Sequence, residues 1–378
     1  MNPVRTISRN PHAQRAERVL VIGAGVSGLT TALALADAGV EVEVVADKFG
    51  SDLVSVVAGA LWEWPPAVCG YHRDETSVER SKGWAMESYE IFSDLARDPA
   101  TGVFMRMANF YFTSPQTLRE LHKMNELAAR VPGLVRDPGL AEANGISADY
   151  GIVDAYAHLA PMIDTDQYMG WLRRRVEAAG VRISQRRIDG RLADQEERLR
   201  HEYRAAAIVN CTGLGAAAAH GSQMYPLRGA LVRAINDGRR MPKVTEAHCV
   251  PRREGSTEQD MVFIVPRGEN MLLLGGLTEE DEWSLDIGLH NHQPVRDMYR
   301  RCLDFMPSLA RGELDPAEPV RVGLRPCRTG NICLEREAAT NIVHNYGHGG
   351  SGFSLSWGCA REVTATVMDA TRATALAA

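Results

Sequence analysis

The residues with the clearest chemical role are three glycines near the N-terminus, Gly23, Gly25 and Gly28, which are spaced as GxGxxG. A turn of this kind lets the backbone approach an anionic group, because glycine has no Cβ to hold the ligand away. Asp47 follows Gly28 by nineteen positions (47 − 28), where an acid that binds a ribose hydroxyl is expected. Together these residues predict a site for the diphosphate and ribose of a dinucleotide.

The elements around these glycines must hold them in place, and the sequence predicts a βαβ unit. The apolar run RVLVI before Gly23 is typical of a strand that is buried on both faces. An Ala- and Leu-rich helix is expected from Ser27 to Ala38, ended by Gly39, and a second strand over 40–47. The diphosphate would then lie at the helix N-terminus, where free N–H groups and the helix dipole favour an anion.

Later segments extend this pattern and add a second unit. An amphipathic helix is predicted over 166–179, with Asp164 and Thr165 as candidate N-caps, and a buried strand over 205–213. Between 224 and 276, short apolar runs separated by polar loops predict antiparallel strands. The fold class is therefore α/β, with two interleaved units and no Pro-, Gly- or Ser-rich linker between them.

Composition excludes several classes of function for this chain of 378 residues. The net charge of −6 argues against nucleic-acid binding, which requires clustered positive charge. No stretch approaches the ~20 apolar residues of a membrane helix. Residues 1–17 lack the apolar segment of a signal peptide and are expected to form a disordered polar arm. The seven cysteines occur singly, which predicts no metal site, and they suit buried thiols in a reducing cytoplasm.

The glycine motif alone does not distinguish FAD from NAD, and Lys48 could also contact a 2′-phosphate. Three further segments favour FAD: VAGALWEWPP at 57–66, GLRP at 323–326 and HNYGHGGSGFSLSWGCA at 344–360. In order and spacing they resemble the D-amino-acid oxidase family, whose signature HNYGHGGxGxxxxWGCA the last segment matches almost position for position. The resemblance runs from Arg18 to about Ala365 and implies FAD as the cofactor.

This resemblance implies a Rossmann-like FAD-binding domain that is interleaved with an antiparallel-sheet substrate-binding domain. The FAD-binding domain would comprise residues 18–70, 160–220 and 315–378, and the substrate-binding domain residues 71–159 and 221–314. A homodimeric assembly is compatible with the family.

The residues that correspond to FAD contacts in the family lie in several short segments. They are Gly23, Ala24, Gly25, Val26, Ser27, Gly28, Asp47, Lys48, Ser55, Gly59, Ala60, Leu61, Ile188, Thr212, Gly323, Arg325, Gly349, Gly350, Ser351, Gly352, Phe353 and Ser354. The helix that starts after the last glycines would stabilise negative charge on the flavin. His344 and His348, in the same signature, are interpreted as loop hydrogen-bonding residues and not as catalytic groups.

On the substrate side, Arg325 corresponds to the family arginine that binds the substrate carboxylate, and a guanidinium suits this role because it pairs bidentately. Gly350 corresponds to the residue whose carbonyl accepts a hydrogen bond from the substrate amine. The chain departs from the family where Phe263 and Gln259 replace two tyrosines and Ser351 replaces a third. The hydroxyl lost at Phe263 would contribute about 1–3 kcal/mol to binding a carboxylate, and the substitutions predict a wider pocket.

The reaction that the resemblance implies is the oxidative deamination of a D-amino acid. Hydride passes from Cα to flavin N5, the imine hydrolyses to a 2-oxo acid and ammonia, and dioxygen re-oxidises the flavin to give hydrogen peroxide. The protein contributes orientation and electrostatics, so no catalytic side chain is predicted. The acidic run 277–281, if it faces the site instead of being a solvated loop, favours substrates with a neutral or basic side chain.

Three alternatives remain open at this point. Phe263 and Ser351 motivate a related flavin amine oxidase that acts on glycine, an N-methyl amino acid or a specialised metabolite amine. An NAD(P)-dependent dehydrogenase is disfavoured by the HGGSG segment, since such an enzyme has no need of a second glycine-rich helix start. A non-catalytic flavin-binding protein is disfavoured by the presence of Arg325.

Overall fold

The computed structural model describes residues 18–64, 74–251 and 259–377, with the side chains described up to residue 371. Within these ranges the chain forms ten α-helices and fifteen β-strands. The helices are α1 (Val26–Asp37), α2 (Val54–Val57), α3 (Glu75–Leu95), α4 (Leu118–Ala128), α5 (Leu140–Ala143), α6 (Thr165–Ala178), α7 (Glu196–Tyr203), α8 (Ala216–His220), α9 (Gln293–Phe305) and α10 (Gly352–Ala377). The predicted N-terminal arm, 1–17, lies outside the described residues.

The strands divide between two sheets. They are β1 (Arg18–Ile22), β2 (Glu41–Ala46), β3 (Val103–Phe112), β4 (Val135–Arg136), β5 (Asp154–Ile163), β6 (Arg182–Gln185), β7 (Ala205–Asn210), β8 (Met224–Ile235), β9 (Ala247–Val250), β10 (Val262–Arg267), β11 (Met271–Gly275), β12 (Glu279–Glu280), β13 (Val320–Arg328), β14 (Cys333–Arg336) and β15 (Ile342–Tyr346).

The first sheet has six strands in the order β14-β15-β7-β1-β2-β6. Its central strand, β1, pairs in parallel with β2 and β7 and is buried from Val19 to Ile22, because its apolar side chains point alternately to two covered faces. Helix α1 follows and packs against α6 and α10. The predicted βαβ unit is confirmed, with ends that differ by one residue from those expected.

The second sheet has nine strands. Eight run in the order β12-β8-β11-β10-β9-β3-β5-β4, and β13 also pairs with β8. The antiparallel strands expected between 224 and 276 are confirmed as β8, β10 and β11, while β9 pairs in parallel with β3. The described part of the chain therefore combines a parallel and a largely antiparallel sheet, and the predicted α/β class is confirmed.

The two faces of the second sheet have different partners. On one face, buried residues such as Val232 and Ile264 pack against Met298 and Phe305 of α9. On the other face, Phe263, Cys249, Phe110 and Tyr156 stand directly opposite one another across β10, β9, β3 and β5. Residues in such a row share one side of the sheet. This second face, which we call the site face, belongs to the same apolar cluster as Leu61 and Trp62.

Two elements pack against the unit other than the one to which the family resemblance assigns them. Strand β13 lies within 315–378, yet it pairs with β8 of the second sheet along all 9 of its residues. Helix α3 lies within 71–159, yet it packs on α10, and a Cβ at Gly358 would lie only 2.3 Å from Trp84 Cα. The assignment of these two segments to domains remains a proposal, because each contacts elements of the other unit.

The cysteines of the described residues are buried and form no disulfide bond, as expected of thiols that act as small apolar side chains. Cys69 lies outside the described residues. None of the helices that the structure describes combines the length and the apolar character needed to cross a membrane.

Candidate active site

The glycine turn connects β1 to α1, and close packing requires glycine at two of its positions. A Cβ at Gly28 would lie 1.9 Å from the carbonyl oxygen of Gly23, and a Cβ at Gly23 would lie 2.3 Å from that of Cys211. Gly23 also has a φ of +117°, a backbone conformation that favours glycine. Helix α1 therefore begins in direct backbone contact with the ends of β1 and β7.

The N-terminus of α1 is suited to an anionic ligand. No side chain caps the helix at Gly25, and the Val26 N–H donates to Ser55 Oγ at 2.9 Å. His348 lies beside this turn, with Nδ1 3.4 Å from Ser27 Oγ and with a buried Nε2 that has no partner among the described residues. Burial lowers the pKa of His348 to about 4, so the ring is neutral at physiological pH.

These observations fit FAD. The N–H groups in the first turn of α1, apart from that of Val26, match a diphosphate. The Nε2 of His348 is a buried polar atom that a bound polar group would satisfy. Because the glycines of the turn have no Cβ, a ligand can approach their backbone closely.

The four candidates for the adenosine side lie at the ends of β2, β6 and β7. Asp47 and Lys48 are exposed directly after β2. Ile188 packs against the core cluster that contains Leu20 and Ile22, and Thr212 Oγ1 donates to Asn210 Oδ1 at 2.8 Å. The structure thus gives Ile188 and Thr212 structural contacts, and their contact with the cofactor stays a prediction.

The three segments that carry the family resemblance converge at the end of β13. The N–H of Gly349 donates to the carbonyl of Pro326 at 3.0 Å, which places the glycine turn before α10 beside Arg325. The N–H of Glu63 donates to Ser354 Oγ at 3.3 Å, which joins the loop after α2 to the same turn. Residues 65 and 66 of the first segment lie outside the described residues. The three segments lie far apart in the sequence, and the fold brings them into contact.

A buried arginine that was not predicted holds the loop after α2. Arg267 of β10 donates hydrogen bonds to the Ala58 carbonyl and to Thr165 Oγ1. Burial lowers its pKa to about 10, so it stays cationic at neutral pH. Ala60, with an unusual φ of +50°, is held by the Ile163 N–H at 3.0 Å. The one available signal was a charged residue at the end of the apolar run VFIVP.

Arg325 extends from β13 across β8. A Cβ at Gly229 would lie 2.3 Å from Arg325 Nη1, so the guanidinium occupies the space that a side chain at this glycine would take. Among the described residues, the only hydrogen bond of the Arg325 guanidinium runs from Nη1 to the Leu277 carbonyl at 3.4 Å. Burial lowers its pKa. The guanidinium therefore has donors free for an anionic ligand.

The residues that replace family tyrosines lie at different depths. The ring of Phe263 packs over Gly59, where a Cβ would lie 2.6 Å from Cζ. Ser351 is buried immediately before α10, and Gly350 beside it is exposed. Gln259 is exposed at the rim, where its Oε1 accepts the Thr278 N–H at 3.1 Å. Phe263 thus lies against the loop after α2 and Ser351 at the start of α10, while Gln259 lies at the surface; their contacts with substrate or flavin stay a prediction.

The acidic run after β11 includes strand β12, which pairs with β8. Glu279 accepts a hydrogen bond from the buried Arg228 Nε at 2.9 Å, and His292 Nε2 lies 2.8 Å from its other oxygen. Glu280 is exposed. The charge of Glu279 is therefore compensated by Arg228, and the effect of this run on substrate charge stays a prediction.

A second residue that was not predicted is Glu63, which lies between Trp62 and Trp64. Burial raises the pKa of its carboxyl to about 7, although the charge of Arg325 acts in the opposite direction. A carboxyl group with a strongly raised pKa in a cleft is a candidate functional group. The sequence signal was a single acid within an otherwise apolar and aromatic segment.

One cluster among the described residues has the composition of a metal site: His220, Glu337 and His344, whose ligand atoms lie within 4.8 Å of one another. The two imidazole rings are stacked, with centroids 3.7 Å apart and planes 19° apart. Because ring lone pairs lie in the ring plane, stacked rings do not direct both nitrogens at one ion. His220 Nδ1 lies 2.5 Å from the Tyr346 hydroxyl and His344 Nδ1 lies 3.2 Å from Asn210 Nδ2, so each ring hydrogen-bonds to the protein through one nitrogen. His344 Nε2 and Glu337 Oε2 lie 3.3 Å apart without a hydrogen-bond partner among the described residues.

Known proteins share both the sequence and the fold. A family model described as FAD dependent oxidoreductase (DAO) matches residues 18–366. A D-amino-acid oxidase of Streptomyces coelicolor is 34% identical, over 92% of this chain and 96% of the relative. One of Rubrobacter xylanophilus is 31% identical, over 92% and 95%. A solved glycine oxidase of Bacillus cereus has the same fold, with a TM-score of 0.72 at 17% identity over 93% of this chain and 95% of that one.

The family match decides between the nucleotides that the glycine turn left open. It spans both sheets and includes the turn before α10 as well as the turn after β1. The chain therefore belongs to the DAO family of FAD-dependent oxidoreductases, and its cofactor is FAD.

Proposed function

We propose that this enzyme oxidises a D-amino acid to the 2-oxo acid, ammonia and hydrogen peroxide. The observation that carries the proposal is the Arg325 guanidinium, which lies over Gly229 with donors free for a ligand, next to the glycine turn before α10. Such a guanidinium pairs with a carboxylate through two parallel hydrogen bonds. The two relatives named D-amino-acid oxidase support the same substrate class.

The chain's own residues would act by orienting the substrate. FAD, when bound, supplies the two-electron oxidation of the substrate's Cα–N bond. Arg325 would hold the α-carboxylate, and the Gly350 carbonyl would accept a hydrogen bond from the α-amine. With the α-carboxylate and the α-amine fixed, the Cα–H bond of the substrate has one defined orientation. Such orientation accelerates the oxidation at Cα without an acid–base residue. The Phe263 ring, packed over Gly59, would form an apolar wall against water.

A second candidate is the oxidation of glycine or an N-methyl amino acid. It is favoured by Phe263, which offers no hydroxyl to a substrate carboxylate, and by the small side chain of Ser351 beside Gly350. The fold is shared with a glycine oxidase, which is compatible with either substrate class.

A substrate screen tests both candidates. The purified protein is expected to be yellow and to release peroxide with D-amino acids and not with their L-enantiomers, measured in a peroxidase-coupled assay. Glycine and N-methylglycine form a separate arm, and peroxide from that arm alone would select the second candidate. A yellow protein that releases no peroxide in any arm would contradict both.

Gly229 lies beneath the Arg325 guanidinium. A substitution there tests the role of Arg325 in binding the substrate carboxylate, because it moves the guanidinium without removing its charge. We expect Gly229→Ala to displace the guanidinium, because the new Cβ would lie 2.3 Å from Nη1 and the end of an arginine moves more easily than a strand. The KM for a D-amino acid should rise roughly tenfold to a hundredfold as a charge-assisted pair is lost, with FAD content unchanged.

The matched control for this variant is Gly170→Ala in α6. Its Cβ would also face an arginine nitrogen, Arg174 Nη1, but at an ordinary contact distance of 3.4 Å. Steady-state kinetics should show a KM near that of the wild type for this control. A Gly229→Ala enzyme with unchanged KM would mean that the substrate carboxylate binds elsewhere.

A further inference from the structure

Glu63 lies in a segment that hydrogen bonds hold at the candidate site. Its N–H donates to Ser354 Oγ at 3.3 Å, and the preceding Trp62 N–H donates to the Pro161 carbonyl at 2.9 Å. The indole of Trp62, which is fully buried, donates to the Ala85 carbonyl at 2.9 Å. The backbone at Glu63 is therefore fixed between β5 and the start of α10.

The Glu63 side chain lies on the site face. Leu61, two residues before it, pairs with Met162 of β5, which points to the same side of that strand as Tyr156, and side chains two residues apart in an extended segment share a side. Burial raises the pKa of Tyr156 on β5 and of Cys249 on β9, and the charge of Glu63 adds to both shifts; the pKa of Glu63 is in turn lowered by Arg325 on β13. Phe110 lies between Tyr156 and Cys249 in the same row, and its ring stacks on Tyr156 with centroids 5.1 Å apart. The carboxyl group thus faces an aromatic surface, with Arg325 as the nearby cation.

This carboxyl group has no partner within the described part of the chain. It forms no side-chain hydrogen bond there, and neither Arg325 nor any other described cation lies within 4.0 Å of it to form an ion pair. Glu63 is half-buried, and a carboxylate that loses part of its hydration without gaining a partner is destabilised. A ligand cation would compensate for this cost.

We propose that Glu63 selects substrates by charge, with its carboxylate binding an ammonium or guanidinium group at the end of the substrate side chain while Arg325 holds the α-carboxylate. The proposal rests on the proposed function, because it takes the carboxylate site at Arg325 as one end of the substrate. It names D-amino acids with a cationic side chain, such as D-ornithine, D-lysine and D-arginine, as the preferred class. Two opposite charges across one pocket would also reject acidic side chains.

The test uses isosteric pairs of substrates. D-Ornithine and D-norleucine differ only by an ammonium in place of a terminal methyl, and D-lysine and D-2-aminoheptanoate form the same pair one methylene longer. In the wild-type holoenzyme, kcat/KM should favour the cationic member of at least one pair. Glu63→Gln should lower that preference about tenfold to a hundredfold, with kcat/KM for the apolar member within about twofold of wild type. Glu280→Gln, an exposed acid at the sheet edge, is the matched control and should leave the preference unchanged.

The pH dependence of the same ratio gives a second readout. The ionisable groups that face Glu63 are Arg325, which stays cationic, Tyr156 and Cys249, whose pKa values burial raises, and His158, whose pKa burial lowers to about 4. Only Glu63, with a pKa of about 7, changes charge near neutrality among them. The preference should rise as the pH increases through 7, because the carboxylate forms, and this rise should be absent in Glu63→Gln.

Several outcomes would overturn the proposal. If Glu63→Gln lowered kcat/KM equally for both members of each pair, Glu63 would act on the α-amine or stabilise its own loop. If Glu280→Gln lost the preference for the cationic substrate instead, the acidic run 277–281 would be responsible for that preference. A wild-type enzyme without preference for either cationic member would also contradict it.

A binding measurement separates failure of this proposal from failure of the proposed function. The unreactive isosteres 5-aminopentanoate and hexanoate can be titrated against the flavin absorbance of the holoenzyme without any turnover. Tighter binding of 5-aminopentanoate that depends on Glu63 would support the charge selection even if no D-amino acid is oxidised. Equal binding of the two ligands would contradict the charge selection even if D-amino acids are oxidised.

Discussion

Replacement of Arg325 by alanine is expected to lower kcat/KM for D-amino acids by about a hundredfold to a thousandfold, while the protein still purifies with FAD. The wild-type guanidinium lies over Gly229 with one long hydrogen bond, to the Leu277 carbonyl at 3.4 Å. In the variant, the substrate carboxylate would enter the same pocket without a cation or a bidentate partner. The loss should appear in both KM and kcat, because Arg325 would also fix the direction of Cα–H.

The controls for this variant separate charge from geometry. Arg325→Lys keeps the charge but replaces two parallel donors by one ammonium, so its activity should lie between those of the wild type and the alanine variant. Arg336→Ala removes an exposed arginine from β14 and should have the activity of the wild type. An Arg325→Ala protein that loses FAD, but keeps wild-type kcat/KM per bound flavin, would place the arginine at the cofactor and contradict its role at the substrate.

The βαβ unit around the glycine turn could be predicted because its determinants are local. RVLVI, the glycine turn and the apolar helix after it lie within one short segment, so periodicity and glycine spacing suffice to predict β1 and α1. The same holds for the N-cap Asp164 of α6, whose side chain accepts the Gln167 N–H at 3.3 Å as the sequence suggested. Each of these features depends on neighbours in sequence.

The roles of Arg267 and Glu63 could not be predicted, because their partners are distant in sequence. Arg267 contacts Ala58 and Thr165 only after β10 takes its register in the second sheet. Arg325 comes within electrostatic reach of Glu63 only because β13 leaves the C-terminal part of the chain to pair with β8. A buried charged residue in an apolar segment is a signal that something must compensate it, but only the three-dimensional fold shows what does.

The second prediction concerns the glycine turn, where helix propensity and packing predict opposite results. Gly28 lies within α1, and alanine in a helix interior is ordinarily more stable than glycine by about 1 kcal/mol. At this position, however, the new Cβ would lie 1.9 Å from the Gly23 carbonyl oxygen and 2.8 Å from its carbon, both backbone atoms. We expect Gly28→Ala to push α1 away from β1 and to raise the FAD dissociation constant about tenfold to a hundredfold.

The matched control is Gly83→Ala in α3, where no heavy atom lies within 4 Å of the new Cβ. This variant should keep its FAD and gain about 1 kcal/mol of stability from the helix propensity alone. Flavin absorbance after dialysis and thermal melts with and without added FAD measure both effects. Because the same substitution is made in two helices, a difference between the variants isolates the contact of α1 with β1. If Gly28→Ala retained FAD as Gly83→Ala does, the N-terminus of α1 would not depend on this close contact to bind the cofactor.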